Sequence, residues 1–163
     1  WKISIIDTGL NTQTGGRLKR LKKYLQSTFM FTYGDGIGDI NIQSLLSHHK
    51  SNNSIATVTG VRPEGRYGSL KIENDKVVNF LEKPDGDNLW INGGFFVFEP
   101  SVFDYIDGDD TILEKSPLEK ISKDGHLSVF KHFNFWHSMD TIRDKDKLNS
   151  LWENKKARWK IWK

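Results

Sequence analysis

Cysteine is absent from the 163 residues of this sequence. Neither a disulfide framework nor a zinc site built on cysteine is therefore available, which agrees with a cytoplasmic protein. Long apolar runs are missing as well, since no stretch approaches the roughly 20 residues that a membrane-spanning helix needs. The N-terminus also lacks the order of charged, apolar and small residues that marks a signal peptide. The sequence therefore predicts no membrane partner.

Neither sign of charge is in large excess, because 24 Lys and Arg residues against 21 Asp and Glu residues leave a formal charge of only +3. Five of the basic residues lie in the last nine positions, Lys155 to Lys163. The excess is local and does not predict a nucleic-acid-binding surface. Tryptophans alternate with these cations in residues 151–163, and we interpret the segment as an amphipathic tail that packs on the body or on a neighbouring subunit.

An initiator methionine is also missing, since the chain begins at Trp1. The first residues, Lys2–Asp7, alternate between apolar and polar side chains and predict a strand. A length of 163 residues suits one domain with a single core, which we expect over residues 1–150. A chain that enters a strand directly at its first residues is expected to be part of a longer protein.

The segment Phe31–Gly36 contains the first candidate functional residue. The apolar run Thr28–Tyr33 predicts a short buried strand, and it ends at Asp35 between two glycines. Ligands of open α/β sheets gather beyond the carboxyl ends of the strands, so Asp35 could hold a metal ion on a phosphate. The alternative is a Gly-Asp-Gly turn that caps the next helix.

A second candidate is Arg17, which follows two glycines at the start of a predicted basic helix running to Leu25. A helix N-terminus presents free N–H groups and the positive end of the helix dipole, so Arg17 could clamp a phosphate chain there. A solvated basic helix face is the alternative.

The order of predicted elements indicates the fold class. Helical spacing over Ile42–His49 and a β-branched strand over Ile55–Val61 continue a β-α-β-α-β order, which predicts a largely parallel sheet covered by helices. Two alternating segments, Ser69–Glu73 and Lys76–Leu81, predict a hairpin inserted into that order. Further predicted elements are a strand from Ile91, short helices over Pro100–Ile106 and Ser116–Lys123, a strand over His126–His132 and a helix after Asp140.

Two more candidate binding sites lie at the ends of predicted strands. Lys83 is followed by Pro84, which cannot extend a strand, and so Lys83 is a candidate phosphate ligand or a surface lysine at the start of a loop. Asn92, Gly93 and Gly94 stand at the head of a very apolar strand. Glycines there indicate close approach by a ligand or another backbone segment, or a bulge.

Asp140 follows an apolar stretch and precedes a predicted helix. It could be the N-cap of that helix. Read together with Asp35, it could also be the second carboxylate of a magnesium site, because Mg²⁺ is usually held by one or two carboxylates plus substrate phosphates.

In their order along the chain, these segments resemble the sugar-1-phosphate nucleotidyltransferases, most closely the glucose-1-phosphate cytidylyltransferases that make CDP-glucose. The motifs that carry the resemblance are Asp7–Gly9, Thr14–Arg20, Phe31–Gly36, Gly65–Gly68, Glu82–Pro84, Ile91–Val97 and Met139–Thr141 with Arg143 and Asp144. Each motif is weak alone, but the ordered series extends over nearly the whole chain.

The resemblance implies a Rossmann-like α/β fold with a mixed, largely parallel sheet, helices on both faces and an inserted hairpin. It implies that Asp35 and Asp140 hold Mg²⁺, and that Lys83 is catalytic with them by contacting the sugar phosphate. The implied substrate-binding residues are Thr12, Arg17, Gly34, Glu82, Lys83, Asn92 and Gly93. Among these, Gly34 would pack under the nucleotide. The implied assembly is a homo-oligomer, in which the contact of Arg17 with the nucleotide can cross a subunit boundary.

The implied reaction transfers a cytidylyl group from CTP to glucose 1-phosphate for nucleotide-sugar and surface-polysaccharide synthesis. Family members begin with a strand and a glycine-rich nucleotide loop that nothing in this chain matches. We therefore expect the chain to be the C-terminal part of such an enzyme, without the first strands of its sheet. The alternatives are a non-catalytic sugar-phosphate or nucleotide-binding module and, ranked lower, a nucleic-acid-binding protein that uses the basic tail.

Overall fold

The computed structural model describes residues 1–63, 69–81 and 90–162. The helices are α1 (Thr14–Arg20), α2 (Ile42–Asn52), α3 (Ser116–Lys123) and α4 (Ile142–Glu153), with short 3₁₀ helices at Lys22–Tyr24 and Pro100–Tyr105. The strands are β1 (Phe29–Thr32), β2 (Gly36–Gly38), β3 (Ala56–Val61), β4 (Ser69–Glu73), β5 (Lys76–Leu81), β6 (Ile91–Phe98), β7 (Leu127–Lys131) and β8 (Trp136–Ser138). Within the described ranges, no helix is both long and apolar enough to cross a membrane.

Four of these strands form a sheet in the order β1-β6-β3-β7. Strand β6 is antiparallel to β1, because the N–H of Tyr33, just after the end of β1, donates to the carbonyl of Gly94, near the start of β6. The aromatic side chains of the two strands follow the same direction, with Phe29 against Phe98 and Phe31 against Phe96.

Strand β3 is antiparallel to β6 and parallel to β7. The N–H of Glu99, after the end of β6, donates to the carbonyl of Ile55, before the start of β3. The N–H of His132, after the end of β7, donates to the carbonyl of Gly60, near the end of β3. Strands β1, β3 and β7 thus share one direction, and the prediction of a mixed, largely parallel sheet is confirmed.

The predicted hairpin is confirmed. Strands β4 and β5 pair antiparallel, with Ser69 opposite Leu81 and Glu73 opposite Lys76. Asn74 has φ 49° and connects them. A left-handed conformation of this kind is what a tight hairpin turn requires, and Asn adopts it readily.

The chain folds as two compact units. The first unit contains Trp1–Phe31, Gln43–Val58 and Phe96–Phe130, and the second contains Thr32–Ile42, Thr59–Phe95 and Lys131–Lys163. In the first unit, apolar side chains of α1, α2, β3, β6, α3 and the 3₁₀ helix Pro100–Tyr105 contribute to the core. Its most buried members are Leu18, Leu45, Ala56, Phe96, Val97, Phe98, Val102, Phe103, Ile106, Leu113 and Ile121.

The strand predicted over Lys2–Asp7 is wrong, because those residues form neither a strand nor a helix. Ile3 and Ile5 are 80% and 97% exposed. A strand is stable only when a neighbouring strand takes up its backbone hydrogen bonds. No strand in the described part of the chain pairs with this segment, so the apolar alternation buries nothing here.

Residues after α4 pack on the second unit. The ring of Trp159 stacks on Phe135 with centroids 5.3 Å apart. The ammonium of Lys160 lies 5.8 Å from the ring centroid of Trp152 on α4. Packing of the tail on a neighbouring subunit stays a prediction.

Candidate active site

A short ribbon of two strands forms the centre of the candidate site. Strands β2 and β8 pair antiparallel, with Gly36 opposite Ser138 and Gly38 opposite Trp136. At one end of the ribbon, the N–H of Met139 donates to the carbonyl of Asp35 at 2.8 Å. The ribbon therefore brings the residue before β2 next to the residues that follow β8, a hundred positions later in the chain.

Asp35 and Asp140 lie at this same end of the ribbon. Both residues are exposed. One oxygen of Asp140, Oδ2, accepts a hydrogen bond from the hydroxyl of Ser138 at 2.9 Å, which orients the carboxylate. Asp35 is followed by a strand and not by a helix, so the structure does not support the alternative of a helix-capping turn. Two exposed acidic residues from distant segments thus lie at one end of the ribbon.

Asp140 is not the N-cap of α4. That position belongs to Thr141, whose hydroxyl accepts the N–H of Asp144 at 3.2 Å. The carboxylate of Asp144 accepts the N–H of Thr141 in return at 3.0 Å, which completes a capping box. The N-cap of α4 is therefore Thr141.

Asn92 is held by the residues around it. Its side-chain amide donates to the hydroxyl of Tyr33 at 3.1 Å, and its carbonyl oxygen accepts the N–H of Gly94 at 2.8 Å. Tyr33 stands two residues before Asp35, so the two candidate site residues Asn92 and Asp35 are linked through one short segment.

The glycines of β6 are explained by neighbouring parts of the protein. A Cβ on Gly93 would lie 2.8 Å from Cγ1 of Val61 on β3. Gly94 has φ +77°, and a Cβ there would lie 2.7 Å from Cδ2 of Tyr33. Of the open interpretations, close approach of another segment is therefore the one observed. Gly34 differs, because a Cβ there would meet no atom within 4 Å.

Trp136 fixes the first residue of β8 to the sheet. Its indole N–H donates to the carbonyl of Gly93 at 2.8 Å.

Sequence reasoning missed both Trp136 and Tyr33 as site residues. A signal was available, because both residues lie close in sequence to the Asp140 and Asp35 motifs. Buried Trp and Tyr side chains usually use their N–H or O–H group in a hydrogen bond, so a polar contact near the site could have been expected.

Arg17 and Thr12 belong to the first unit. The guanidinium of Arg17 donates to the hydroxyl of Thr8 at 3.0 Å and to the carbonyl of Leu10 at 3.1 Å. Thr12 is only 7% exposed. Arg17 therefore braces the loop that precedes α1.

The prediction of free N–H groups at the start of this helix is wrong. The N–H of Gln13 donates to the carbonyl of Asp109, and those of Gly15 and Gly16 donate to the carbonyl of Thr111, at 2.9 to 3.2 Å. These groups are used by a neighbouring loop, so they are not available to an anion at the start of α1.

The basic residues of α1 also contact that loop. Arg20 forms an ion pair with Asp109. This hydrogen-bonded pair raises the pKa of Arg20 and holds the pKa of Asp109 below its usual range. Lys19 donates to the carbonyls of Ile106 and Asp107. The helix ends at Arg20, earlier than predicted, because the next residues form a 3₁₀ turn.

The predicted sugar-phosphate residues Glu82 and Lys83 lie outside the described residues, as does the motif Gly65–Gly68.

The donor set at the end of the ribbon fits Mg²⁺. The part of the chain that the structure describes contains no group of three or more His, Cys, Asp and Glu residues able to hold a metal ion. Two exposed carboxylates provide hard oxygen ligands, and Mg²⁺ commonly takes its remaining ligands from water and substrate phosphates. Asp35 and Asp140 therefore suit an ion that is shared with a phosphorylated ligand.

Known proteins similar to this chain agree with the fold and the motifs. The family model described as nucleotidyl transferase matches residues 14–155. Glucose-1-phosphate cytidylyltransferases of Salmonella typhi and Salmonella typhimurium are each 48% identical to this chain over 99% of its length. A crystal structure of UDP-glucose pyrophosphorylase complexed with UDP-glucose matches 93% of this chain and 66% of its own, with a TM-score of 0.66 and 12% identity.

The chain spans 64% of the length of the two Salmonella relatives. The match to the family model covers most of the chain and includes the segments that carry Asp35, Asn92 and Asp140. The chain belongs to the nucleotidyl transferase family.

Proposed function

We propose that this chain takes part in transferring a cytidylyl group from CTP to glucose 1-phosphate, which yields CDP-glucose and pyrophosphate. The observation that carries the proposal is the position of two exposed carboxylates, Asp35 and Asp140, at one end of the β2–β8 ribbon. The choice of CTP and glucose 1-phosphate is supported by the names of the Salmonella relatives.

The reaction needs charge neutralisation more than it needs a base. A phosphate oxygen of glucose 1-phosphate forms a bond to the α-phosphorus of CTP, while the bond from that phosphorus to the bridging oxygen of the β-phosphate breaks. Pyrophosphate leaves with the electron pair. The nucleophile is already an anion, so no proton has to be removed. The main barrier is the approach of two negatively charged groups.

Asp35 and Asp140 are the residues that would hold Mg²⁺. When bound, the ion supplies positive charge to the phosphate oxygens and stabilises the charge that develops in the transition state. Asp140 is oriented for this role by Ser138, and Asp35 is fixed through its backbone bond to Met139. Because both carboxylates are exposed, a substrate phosphate can reach the same ion.

Other residues would bind and orient the substrates. The open space above Gly34 leaves room for the nucleotide, and the amide of Asn92 would line the sugar pocket beside Gly93. Arg17 would contact the nucleotide, across a subunit boundary in a homo-oligomer. Thr12 would support the loop before α1, since little of it is exposed.

Lys83 and Glu82 enter the proposal from the sequence alone. Lys83 would neutralise the attacking sugar phosphate, because a lysine ammonium is a compact charge suited to phosphate. Glu82 would accept hydrogen bonds from sugar hydroxyls. Both roles follow from the resemblance of the Glu82–Pro84 motif to the family pattern.

The direct test is magnesium-dependent release of pyrophosphate by this chain with glucose 1-phosphate and, in turn, CTP, UTP, dTTP and ATP. We expect release with CTP alone. Release with a different nucleotide in preference to CTP would contradict the proposed specificity. Binding of CTP and glucose 1-phosphate without release would instead support a non-catalytic binding module.

Replacing Tyr33 by phenylalanine tests the role of Asn92. The ring keeps its position against Gly94, but the acceptor that holds the Asn92 amide is lost. One hydrogen bond contributes about 1 kcal/mol, so we expect a roughly fivefold rise in KM for glucose 1-phosphate with kcat little changed. Steady-state kinetics measure both values. Tyr24→Phe, at an exposed tyrosine of the first unit, is the control and should leave KM unchanged.

A further inference from the structure

A largely buried contact between Asp39 and His132 holds the end of the β2–β8 ribbon opposite Asp35 and Asp140. Asp39 follows β2, and its Oδ1 lies 3.0 Å from Nε2 of His132, which follows β7. The two side chains are only 16% and 5% exposed. Neither residue takes part in the chemistry proposed above.

The histidine ties the ribbon to the sheet. Its Nε2 lies 3.1 Å from the carbonyl of Phe135, which also accepts the N–H of Asp39 at 3.1 Å. The backbone N–H of His132 donates to Gly60 on β3 at 2.9 Å. His132 thus contacts Asp39 after β2, Phe135 before β8 and Gly60 near the end of β3.

The carboxylate of Asp39 is largely withdrawn from water and lies against the ring of His132. The geometry directs the ring N–H at the carbonyl of Phe135, and Oδ1 of Asp39 makes no hydrogen bond in the described part of the chain. The guanidinium of Arg158 approaches the other oxygen at 3.9 Å from the surface. A carboxylate withdrawn from water in this way needs polar partners, and Nε2 of His132 lies 3.0 Å from it.

The ribbon depends on such anchors because it is short. Each strand has three residues, and a two-stranded ribbon of that size is not stable alone. A shift of one residue between the strands would move Asp140 by roughly 3.3 Å relative to Asp35 and turn its side chain to the other face. Trp136, the first residue of β8, and the Asp39–His132 pair both hold the end of the ribbon opposite Asp35 and Asp140.

We propose that Asp39 and His132 are positioning residues that fix the register of the ribbon and so keep Asp35 and Asp140 together as a metal site. This inference rests on the proposed metal role of those two carboxylates. It assigns to a buried histidine, far along the ribbon from the carboxylates, control over the affinity of the chain for a divalent cation.

The test compares two substitutions of His132 in the metal-free chain and in its Mn²⁺ complex. His132→Leu removes the polar ring, whereas His132→Gln keeps a donor at the position of Nε2. Hydrogen exchange of the Met139 amide reports on the bond to Asp35, and electron paramagnetic resonance gives the Kd for Mn²⁺. We expect His132→Leu to speed exchange and to weaken Mn²⁺ binding by about tenfold each, and His132→Gln to restore both close to the parent values.

The control is a second buried histidine that also faces a carboxylate. His49 in the first unit is 1% exposed, and its Nε2 lies 3.1 Å from Oε1 of Glu99. We expect His49→Leu to destabilise the chain. It should leave the Kd for Mn²⁺ unchanged, and it should also leave unchanged the rate of Met139 exchange relative to the rate set by global unfolding. An equal effect of both leucine variants on the two readouts would overturn the inference, because it would reveal only a general loss of stability.

Asp39→Asn provides a second route if His132→Leu does not fold. It removes the charge with little change in volume and is expected to move both readouts in the same direction. A folded variant with parent-like exchange and affinity would overturn the inference. Failure of the metal assignment is recognised separately, since Asp35→Asn would then leave the Kd for Mn²⁺ unchanged while Met139 exchange still reports on the Asp39–His132 anchor.

Discussion

Asp35→Asn is expected to lower magnesium-dependent pyrophosphate release on the order of a thousandfold, because it removes an anionic ligand from the group that stabilises the transition-state charge. The fold should be kept. The side chain is exposed, and the bond from Met139 goes to the backbone carbonyl of residue 35, which the substitution leaves in place. The kcat with saturating CTP and glucose 1-phosphate is the quantity to measure, and the urea midpoint checks the fold.

Asp140→Asn should have a similar effect, and the double variant should be little worse than either single one, because the two carboxylates act as a unit. Asp146→Asn is the matched control, since Asp146 is an exposed carboxylate on α4 that contacts only a surface lysine among the described residues. A thousandfold loss in this control, or activity close to the parent level in Asp35→Asn, would contradict the assignment.

Gly94→Ala is expected to destabilise the protein by about 3 kcal/mol. About 1 to 2 kcal/mol comes from forcing an alanine into a left-handed conformation, and the rest from overpacking against Tyr33. Displacement of Tyr33 also disturbs Asn92 and the approach to Asp35. Activity should therefore fall further than it does in the Tyr33→Phe variant. Urea denaturation gives the change in the free energy of unfolding.

Gly125→Ala separates the two causes of this loss. Gly125 has the same φ of +77°, but a Cβ there would meet no atom within 4 Å. We expect this control to lose only the conformational part, about 1 to 2 kcal/mol, and to keep full activity. Equal losses in the two variants would show that the contact between Gly94 and Tyr33 contributes nothing.

Local patterns were sufficient to predict the elements that depend on local chemistry. The hairpin formed at Ser69–Glu73 and Lys76–Leu81, where two alternating runs flank an Asn-Asp turn, and α3 has the predicted bounds Ser116–Lys123. The apolar run before Asp35 formed β1 for the same reason. In each case the residues that decide the structure lie within a few positions of one another.

Elements that depend on distant partners could not be predicted in this way. The three-residue strands β2 and β8 are too short to show a period, and their pairing joins segments a hundred residues apart. Conversely, the alternation in Lys2–Asp7 was a clear local pattern, but it forms no strand without a neighbour. The donors at the start of α1 were occupied by a loop near residue 109, which no helical pattern could reveal.

The residues of the candidate site fall into the same two groups, those that local patterns predict and those that depend on distant contacts. Asp35, Asp140 and Asn92 stood out as polar residues at the ends of apolar runs, and the order of motifs linked them to one family. Tyr33 and Trp136 acquire their roles only from contacts with Asn92 and Gly93. The pair of Asp39 and His132 was invisible for the same reason, since each residue is ordinary within its own segment.

The most direct test of the central claim is to locate a bound divalent ion in the chain by nuclear magnetic resonance with Mn²⁺. We predict that substoichiometric Mn²⁺ broadens the amide signals of residues 34–36 and 139–141 together, because one ion sits between Asp35 and Asp140. Broadening centred on the acidic loop at residues 107–110, with the signals of both ribbon segments left sharp, would contradict the claim.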